Sequence, residues 1–302
     1  MDRNDAVDTI FFERELEQVK TRSYDVLKAP LAATRMIPVD STTSPGARTV
    51  TYDQYDSVGV AKIIANYADD MPLANVSGKQ ITSTLKSIGF GYEYSIDDVR
   101  AAQFAGKPIE SRKATAAVRA HMVKMNALAF FGDADYGIQG WLTNTNIPAA
   151  PVSSGTALTT EWSTKTPDEI LADLNSAVSY AISLTNGVAM PNTIGLPIDQ
   201  HQLISTTRDS VASDTTIKEF FLRANPGFTF EAAAEFKGAF AGGTDGFVVY
   251  ERSSDKLWQE VPQMVETFPA QSVNLAYKVP MHSKHGGTIV PYPLEQRFRY
   301  GI

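Results

Sequence analysis

The chain has 302 residues, of which 43% are hydrophobic and 20% are charged, a composition typical of a globular protein with one large or two modest domains. Its net charge of -7 and its scattered basic residues argue against sequence-specific nucleic-acid binding, although an acidic surface suits a protein that lies beside packed nucleic acid. Because cysteine is absent, disulfides, thiolate nucleophiles and zinc-thiolate sites are excluded.

The sequence shows no targeting signal and no membrane span. Asp2, Arg3 and Asp5 occur near the amino terminus without an apolar stretch behind them, unlike a secretory signal. No run approaches the roughly 18 consecutive apolar residues that a transmembrane helix requires. We therefore expect no membrane partner, and we expect synthesis in a cytoplasm.

Residues 1–46 have the pattern of an arm. Within residues 10–27 the apolar residues recur at roughly helical spacing, which predicts a short amphipathic helix. These residues are Phe12, Leu16, Val19 and Tyr24. Prolines at positions 30, 38 and 45 then punctuate an extended segment. We expect this arm to have little core of its own and to lie against another surface.

Residues 47–95 are predicted to form one long β-hairpin. Val50 and Tyr52 alternate with polar residues in its first strand, and a second strand-like run covers residues 80–94. A turn-rich centre at residues 68–78 separates the two runs.

The apolar face of the second run switches along its length. Ile81 and Leu85 occupy odd positions, whereas apolar residues from Ile88 onward occupy even positions. Because side chains alternate along a strand, the switch predicts either a β-bulge or a strand whose two halves pack against different surroundings. A hairpin whose base packs on its own domain and whose tip packs on a neighbour would show this pattern.

Residues 96–149 are dominated by a predicted long helix. Ser95 with Asp98 marks the start of a first, shorter helix. The long helix covers residues 109–131 and ends at Gly132, with apolar and basic residues on different faces. It has the pattern of a spine on which a domain is built.

Residues 150–270 are predicted to form an α+β domain. Its clearest signal is the run Thr-Pro-Asp-Glu at residues 166–169, which combines a helix cap, a proline at the first helical position and a capping box. Asn186 and Gly187 end this helix. The other predicted elements are strands at 193–196 and 246–251 and helices at 200–206 and 215–224.

Residues 271–302 return to a strand-like pattern, interrupted by a predicted turn at residues 284–287. With these strands the order of parts is complete. It is an arm, a long hairpin, a spine helix, an α+β domain and returning strands, and the fold class is therefore α+β.

Histidines offer only weak evidence for a metal site. The spacing of His282 and His285 could present two imidazoles on one turn, but a metal site needs further ligands, and the flanking glycines favour a simple turn. His121 lies in the spine helix between Arg119 and Lys124, where we expect it to be partly exposed.

Ser253 and Lys256 match the S-x-x-K spacing of some acylating hydrolases. That motif needs a helix, whereas these residues lie between the strand-like runs 247–252 and 257–261, so a hairpin turn explains them better. The phosphate loop, the nucleophile elbow and the zinc-binding helix motif are missing.

Three carboxylate pairs have ordinary structural explanations. They are Asp69 with Asp70, Asp97 with Asp98, and Asp133 with Asp135. The first is predicted at a hairpin tip, the second in the first turn of a helix, and the third supplies too few oxygens for calcium. We therefore predict no catalytic, cofactor-binding or metal-ligating residues and no cofactor.

Four stretches of the sequence carry a more specific resemblance. They are YDVLKAPLAATRMIPV at 24–39, AFFGDADYGIQGWL at 129–142, PNTIGLP at 191–197 and GGTIVPYPLEQRFRYGI at 286–302. Together with the order of parts, they resemble the major capsid proteins of tailed bacteriophages. That family has the HK-97-like capsid fold, which encapsulin nanocompartments share.

The resemblance implies a domain organisation. Residues 1–46 would be the N-terminal arm, 47–95 the extended loop, 96–149 the spine helix of the peripheral domain, 150–270 the axial domain and 271–302 the returning strands of the peripheral domain. In this fold the arm and the extended loop clasp neighbouring subunits.

The resemblance also implies a function. The chain would be a structural protein that forms hexamers and pentamers in the icosahedral head of a tailed bacteriophage, enclosing double-stranded DNA that it contacts only non-specifically. Portal, scaffold or decoration proteins would be its other partners, and it would be located in the virion after assembly in the cytoplasm of a bacterial host. The alternatives are an encapsulin-like shell protein, a hydrolase using Ser253 or the histidine pair, and a monomeric binding module.

Overall fold

A computed structural model describes residues 28–59, 74–106, 109–210 and 214–302 of the chain. The chain divides into two compact units, Met1–Pro30 and Leu31–Ile302. The description below concerns the second unit. The predicted helix at residues 10–27 and most of the predicted hairpin tip lie outside the described residues.

The described part of the chain contains helices of very different length. They are α1 (Ala33–Met36), α2 (Ile96–Ala105), α3 (Ile109–Phe130), α4 (Pro167–Leu184), α5 (Ile198–Thr206) and α6 (Ile217–Ala224). The predicted spine helix is confirmed as α3, and the helices predicted near residues 166, 200 and 215 are confirmed as α4, α5 and α6. Helix α1 was not predicted from the sequence.

The strands alternate with these helices. They are β1 (Val39–Asp40), β2 (Thr49–Val58), β3 (Asn75–Thr84), β4 (Lys86–Ser95), β5 (Gly132–Asp133), β6 (Ile138–Gln139), β7 (Ala149–Pro151), β8 (Thr193–Leu196), β9 (Thr229–Ala232), β10 (Gly246–Tyr250), β11 (Trp258–Glu260), β12 (Gln263–Thr267), β13 (Gln271–Val273), β14 (Ala276–His285), β15 (Thr288–Ile289) and β16 (Arg297–Tyr300). Helices and several sheets together confirm the α+β class.

Capping boxes fix the starts of α2, α4 and α6. In α4 the Thr166 hydroxyl accepts a hydrogen bond from the Glu169 N–H, and the Glu169 carboxylate accepts one from the Thr166 N–H. Each capping box satisfies two backbone donors that have no partner inside the helix. The Thr166 N–H and the Thr156 N–H both donate to the Glu169 carboxylate, and these bonds lower its pKa.

A five-stranded sheet in the order β7-β16-β10-β8-β9 separates two apolar clusters. On one side, α4 contributes Ile170, Leu174 and Val178 to a cluster that also contains Phe247. On the other side, Trp141, Phe130 and Phe236 pack with Tyr250 and Val248. Alternate residues of β10 therefore enter different clusters, because side chains on a strand point alternately to its two faces.

A second sheet carries the spine helix. Strand β14 pairs with β4 along ten residue pairs, from Ala276 with Ser95 to His285 with Lys86, and with β12 and β13 on its other edge. Helix α3 contacts both β4 and β14. Buried Val279, Met281 and Ser283 alternate along β14, which identifies the covered face.

Leu85 explains the switch of apolar face that the sequence shows. The predicted second strand is two strands: β3 pairs with β2, and β4 pairs with β14 in another sheet. Leu85 lies between them, is 5% exposed, and donates its N–H to the Arg48 carbonyl at 2.9 Å. The two halves therefore pack against different surroundings, as the second of the two predicted alternatives requires.

Residues 31–40, which the sequence assigns to an extended arm, lie inside the core. Ala33, Met36 and Ile37 are buried. The Tyr250 hydroxyl donates to the Met36 carbonyl at 2.9 Å, and β1 runs parallel to β11. Pro30 and Pro38 flank α1, and because α1 is only one turn long they do not prevent this segment from packing.

Candidate assembly surface

Strands β2 and β3 form a hairpin that pairs only with itself among the described residues. The register runs from Thr49 opposite Thr84 to Val58 opposite Asn75. No other described strand pairs with either edge of this two-stranded sheet. A two-stranded hairpin is marginally stable in water without further packing. The contacts at its root and the residues exposed on its outer half therefore show how much of that packing the chain itself supplies.

The root of the hairpin is anchored by side-chain hydrogen bonds to the body of the protein. The Thr84 hydroxyl donates to the Gly137 carbonyl at 2.9 Å, and the Ser83 hydroxyl donates to the Gly286 carbonyl at 3.2 Å. Because residues 83 and 84 point to opposite faces of the strand, both faces of the root form hydrogen bonds with the body of the protein.

The inner half of the hairpin packs on the body with one face. Tyr52 lies directly opposite Ile81, and the Tyr52 ring meets the Trp258 ring edge-on at a centroid distance of 6.1 Å. Burial raises the pKa of the Tyr52 hydroxyl. The apolar face of the hairpin nearest the root is therefore covered by the body of the same chain.

The outer half presents its apolar residues on the other face. Tyr55 is 71% exposed and Val76 is 62% exposed. The Tyr55 ring lies over Gly78, where an added Cβ would be 3.2 Å from the ring. Positions 52 and 55 differ by an odd number and so point to opposite sides of the strand. The hairpin thus offers a water-exposed apolar strip that its own body does not cover.

A second apolar surface lies beside the spine helix. A groove of about 460 Å³, here called the spine groove, runs between α3, residues 31–39 and β12. Its walls include Met122, Met125 and Met264. Neither Tyr55 nor these methionines stood out in the sequence; the available signals were an aromatic residue opposite a glycine and Met122 with Met125 at helical spacing.

The expectation that His121 is partly exposed is wrong. His121 is 1% exposed, and its Nδ1 lies 3.0 Å from the Ser283 hydroxyl oxygen on β14. The Phe90 ring packs edge-on against the imidazole at 6.1 Å. Basic residues flank His121 in the sequence, which suggested exposure. His121 nevertheless lies on the face of α3 that packs against the sheet.

The predicted turn at residues 284–287 is also only partly correct. His282 and His285 both belong to β14, and the turn begins after them at Gly286. On a strand, residues three apart point to opposite faces, so the two imidazoles are not brought together. His282 Nδ1 lies 3.0 Å from Gln263 Oε1, while His285 is fully buried and its Nδ1 accepts a hydrogen bond from the Gly287 N–H at 2.8 Å.

Ser253 and Lys256 form a turn, as predicted, but not the turn of a hairpin. The Ser253 carbonyl accepts from the Lys256 N–H at 3.1 Å. The strands on either side, β10 and β11, belong to different sheets. Lys256 Nζ pairs with the Glu295 carboxylate at 2.8 Å, so this amine is not directed at the Ser253 hydroxyl.

The described carboxylate pairs are engaged in structural contacts. Asp98 completes the capping box of α2 and accepts from Lys113 Nζ at 3.3 Å, and these hydrogen bonds lower its pKa. Asp133 pairs with Lys124 at 3.1 Å, and Asp135 lies in a short 3-10 turn. Asp69 and Asp70 lie outside the described residues.

No group of three or more histidine, aspartate or glutamate side chains is arranged to hold a metal ion within residues 28–59, 74–106, 109–210 and 214–302. In the same ranges, every helix is too short or too polar to span a bilayer.

Comparison with known proteins identifies the family. A family model described as major capsid protein matches residues 59–302. The capsid of Myoviridae phage XM1 superposes with a TM-score of 0.84 at 16% identity, covering 98% of this chain and 100% of that chain. The capsid of a native GTA particle gives a TM-score of 0.65 at 12% identity and covers 94% of each chain.

A virus-like particle from Pyrococcus furiosus is also similar, with a TM-score of 0.58 at 14% identity, covering 88% of this chain and 91% of that chain. No curated protein matches the sequence. At these identities the structural likenesses establish the fold, and the family model establishes the membership. The chain therefore belongs to the major capsid protein family and has the HK-97-like capsid fold of tailed-phage capsids.

Proposed function

We propose that this major capsid protein assembles through hexamers and pentamers into the icosahedral head of a tailed bacteriophage, around double-stranded DNA. The observation that carries the proposal is the β2–β3 hairpin. Hydrogen bonds from Ser83 and Thr84 anchor it to the body, yet its outer half exposes Tyr55 and Val76. Large assemblies bury such apolar strips between subunits.

The proposed assignment of regions follows the capsid fold. Residues 47–95 contribute the extended loop, α3 is the spine helix of the peripheral domain, and the five-stranded sheet with α4 is the core of the axial domain. We place the end of the arm near Pro30, because residues 31–40 pack in the core. We also assign β16 to the axial sheet, because it pairs with β10 and β7.

The proposed relationship to DNA is non-specific. A net charge of -7 opposes tight binding to phosphates, because like charges repel. The proposed location is the virion, after assembly in the cytoplasm of a bacterial host. Portal, scaffold or decoration proteins are the proposed further partners, with no membrane contact.

Membership of a capsid family implies a structural role. We propose that the chain has no catalytic activity of its own. The separation of His282 from His285 and the pairing of Lys256 with Glu295 support this proposal, because each removes a partner that a metal-dependent or acylating hydrolase needs.

Sedimentation and electron microscopy of the purified chain test the proposal. We expect closed hollow particles built of many copies; a stable monomer or small oligomer under all assembly conditions contradicts it. Particles recovered from host cells then separate the phage head from an encapsulin-like compartment. Packaged double-stranded DNA supports the head, whereas an enclosed protein cargo without DNA supports the compartment.

A further inference from the structure

Strand β16 carries two arginines on the side that faces α4. Arg297 and Arg299 are two residues apart and point to the same face, while the residue between them enters the apolar cluster on the other face. The Arg297 guanidinium carbon lies 3.8 Å from the centre of the Tyr180 ring. Arg299 donates to the Pro151 carbonyl at 3.0 Å and to the Ser176 hydroxyl oxygen at 3.4 Å. Ser176 and Tyr180 are one helical turn apart, so the two guanidinium groups lie along one face of α4.

No carboxylate neutralises this arginine pair within the described part of the chain. Neither arginine forms an ion pair with a residue of the described ranges. The Nε atom of each is buried and has no acceptor there. Glu295, the acidic residue nearest to them in sequence, pairs with Lys256 at 2.8 Å. Arg297 is 6% exposed. The site therefore combines two positive charges, one of them almost fully buried, without a counter-charge from the described residues.

Charges of this kind are costly to bury. A buried ion without a partner loses its hydration and destabilises the fold unless an opposite charge and hydrogen-bond acceptors replace the lost water. Burial, and then the neighbouring charge of Arg299, lower the pKa of Arg297, but an arginine side chain stays protonated at neutral pH. Tyr180 is 38% exposed and Ser176 is also exposed, so solvent reaches the helix side of the site. An anion from solution can therefore supply the missing charge.

We propose that Arg297 and Arg299 bind a phosphate dianion, as inorganic phosphate or as a phosphate monoester. Near pH 7 such a group carries a charge of about -1.5 to -2, which matches two guanidinium groups, whereas a carboxylate or a phosphodiester carries a single charge. Guanidinium groups also bind pairs of phosphate oxygens through two parallel hydrogen bonds. The net charge of -7 repels a long polyanion such as DNA more than a small anion. The site lies within one subunit and does not depend on the proposed shell function.

Equilibrium dialysis of the full-length chain against radiolabelled inorganic phosphate, at constant ionic strength, tests the proposal. We expect one bound phosphate per subunit with a dissociation constant below about 1 mM. Arg297→Met should weaken binding at least tenfold. The matched control is Arg223→Met, which removes an exposed arginine in the last turn of α6 and should leave the affinity unchanged. Competition by unlabelled phosphoserine, compared with unlabelled phosphate, distinguishes a monoester from the free anion as the better ligand.

Thermal melting supplies a second readout. Phosphate should raise the melting temperature of the unsubstituted chain more than that of Arg297→Met, since a ligand stabilises only the chain that binds it. If Arg297→Met fails to fold, Arg297→Lys decides, because lysine keeps the charge but not the planar fork and should bind phosphate several-fold more weakly. Three results overturn the inference: no saturable binding, the same affinity with and without the substitution at Arg297, or displacement of the label by acetate or duplex DNA as readily as by phosphate.

Discussion

The imidazole Nδ1 of His121 lies 3.0 Å from the hydroxyl oxygen of Ser283, so the spine helix and strand β14 are joined by a buried hydrogen bond. Both residues are essentially unexposed. His285 is two residues further along β14 and therefore points to the same side as Ser283. This side of the sheet thus carries fully buried polar groups next to apolar ones, and the protonation state of His285 affects folding.

Acid should destabilise the subunit through His285. Burial lowers the pKa of His285 to about 4, below its ordinary value near 6.5. The unfolded chain binds the proton at this imidazole more readily than the folded chain does. The contribution of neutral His285 to stability is therefore complete above about pH 6.5 and is lost as the pH falls toward 4. We expect the free energy of unfolding of unassembled subunits to fall by about 2 kcal/mol between pH 7 and pH 5 from this residue.

The variant His285→Asn should remove that part of the pH dependence, because the amide keeps an acceptor for the Gly287 N–H but does not titrate. The matched control is His282→Asn on the other face of the strand, where the imidazole is partly exposed. Urea unfolding at both pH values provides the measurement. If the unfolding free energy of His285→Asn depends on pH as strongly as that of the unsubstituted chain, His285 is not the source of the acid sensitivity.

Breaking the buried ion pair of Lys165 and Asp173 should be costly. The Lys165 and Asp173 side chains are 1% and 6% exposed, and Trp162 Nε1 also donates to the Asp173 carboxylate at 3.0 Å. Lys165→Met leaves a buried carboxylate without its counter-charge and should reduce the free energy of unfolding by about 3 kcal/mol. Adding Asp173→Asn should restore at least half, since the amide oxygen still accepts from Trp162.

The matched control for this pair is Lys237→Met. Lys237 pairs with Asp199 at the surface, where both side chains are more than half exposed. Exposed pairs of this kind contribute little to stability, because water and salt screen the two charges. Urea unfolding of the variants measures the difference. Equal losses of unfolding free energy in Lys165→Met and Lys237→Met would contradict the expectation that burial determines the size of the loss.

Gly195 should tolerate no side chain. A Cβ at this position would be 2.6 Å from Met36 Cε, 2.8 Å from the Phe236 ring and 3.0 Å from Val248. Gly195→Ala should therefore overpack the core and lower the free energy of unfolding by about 1–3 kcal/mol. Gly89→Ala is the control, because nothing lies within 4 Å of its Cβ. Thermal melting of both variants measures the difference, and a neutral Gly195→Ala would contradict the packing described.

Tyr55 should matter for assembly and not for folding. Its side chain is 71% exposed in the subunit, so Tyr55→Ser should leave the melting temperature of unassembled subunits unchanged. Burying an aromatic ring against a neighbour contributes about 1.5–3 kcal/mol, and its loss should raise the critical concentration for assembly by tenfold or more. Light scattering measures that concentration. Tyr55→Phe keeps the ring and should assemble normally; assembly of Tyr55→Ser at the normal concentration would contradict the proposed contact.

Local sequence signals correctly predicted those helices and strands whose ends are determined by neighbouring residues. The capping box at Thr166, the spine helix before Gly132 and the strand at residues 193–196 are confirmed, because their boundaries depend on nearby residues. Tertiary contacts decide the rest. His285 follows a lysine and precedes two glycines, which favours a turn locally, but pairing with Lys86 extends the strand through it.

The candidate surfaces were harder to predict for the same reason. A hairpin was predicted, but the switch of apolar face in its second strand left a β-bulge and two differently packed halves as alternatives, and only the strand pairing shows that the chain changes sheets at Leu85. The spine groove combines residues 31–39 with α3 and β12, which are far apart in sequence. No periodicity within one element reveals a surface that three elements form together.

Shortening the hairpin tests the central claim most directly. Removing residues 54–79 and joining Asp53 to Gln80, which lie opposite each other, through Asn-Gly keeps the anchors at Ser83 and Thr84 and supplies a favourable two-residue turn. Circular dichroism and thermal melting, alongside electron microscopy, compare this variant with the full chain. We predict a folded, soluble subunit with an unchanged melting temperature that forms no shells; normal particles, or a chain that no longer folds, would contradict the assignment of the hairpin as an assembly surface.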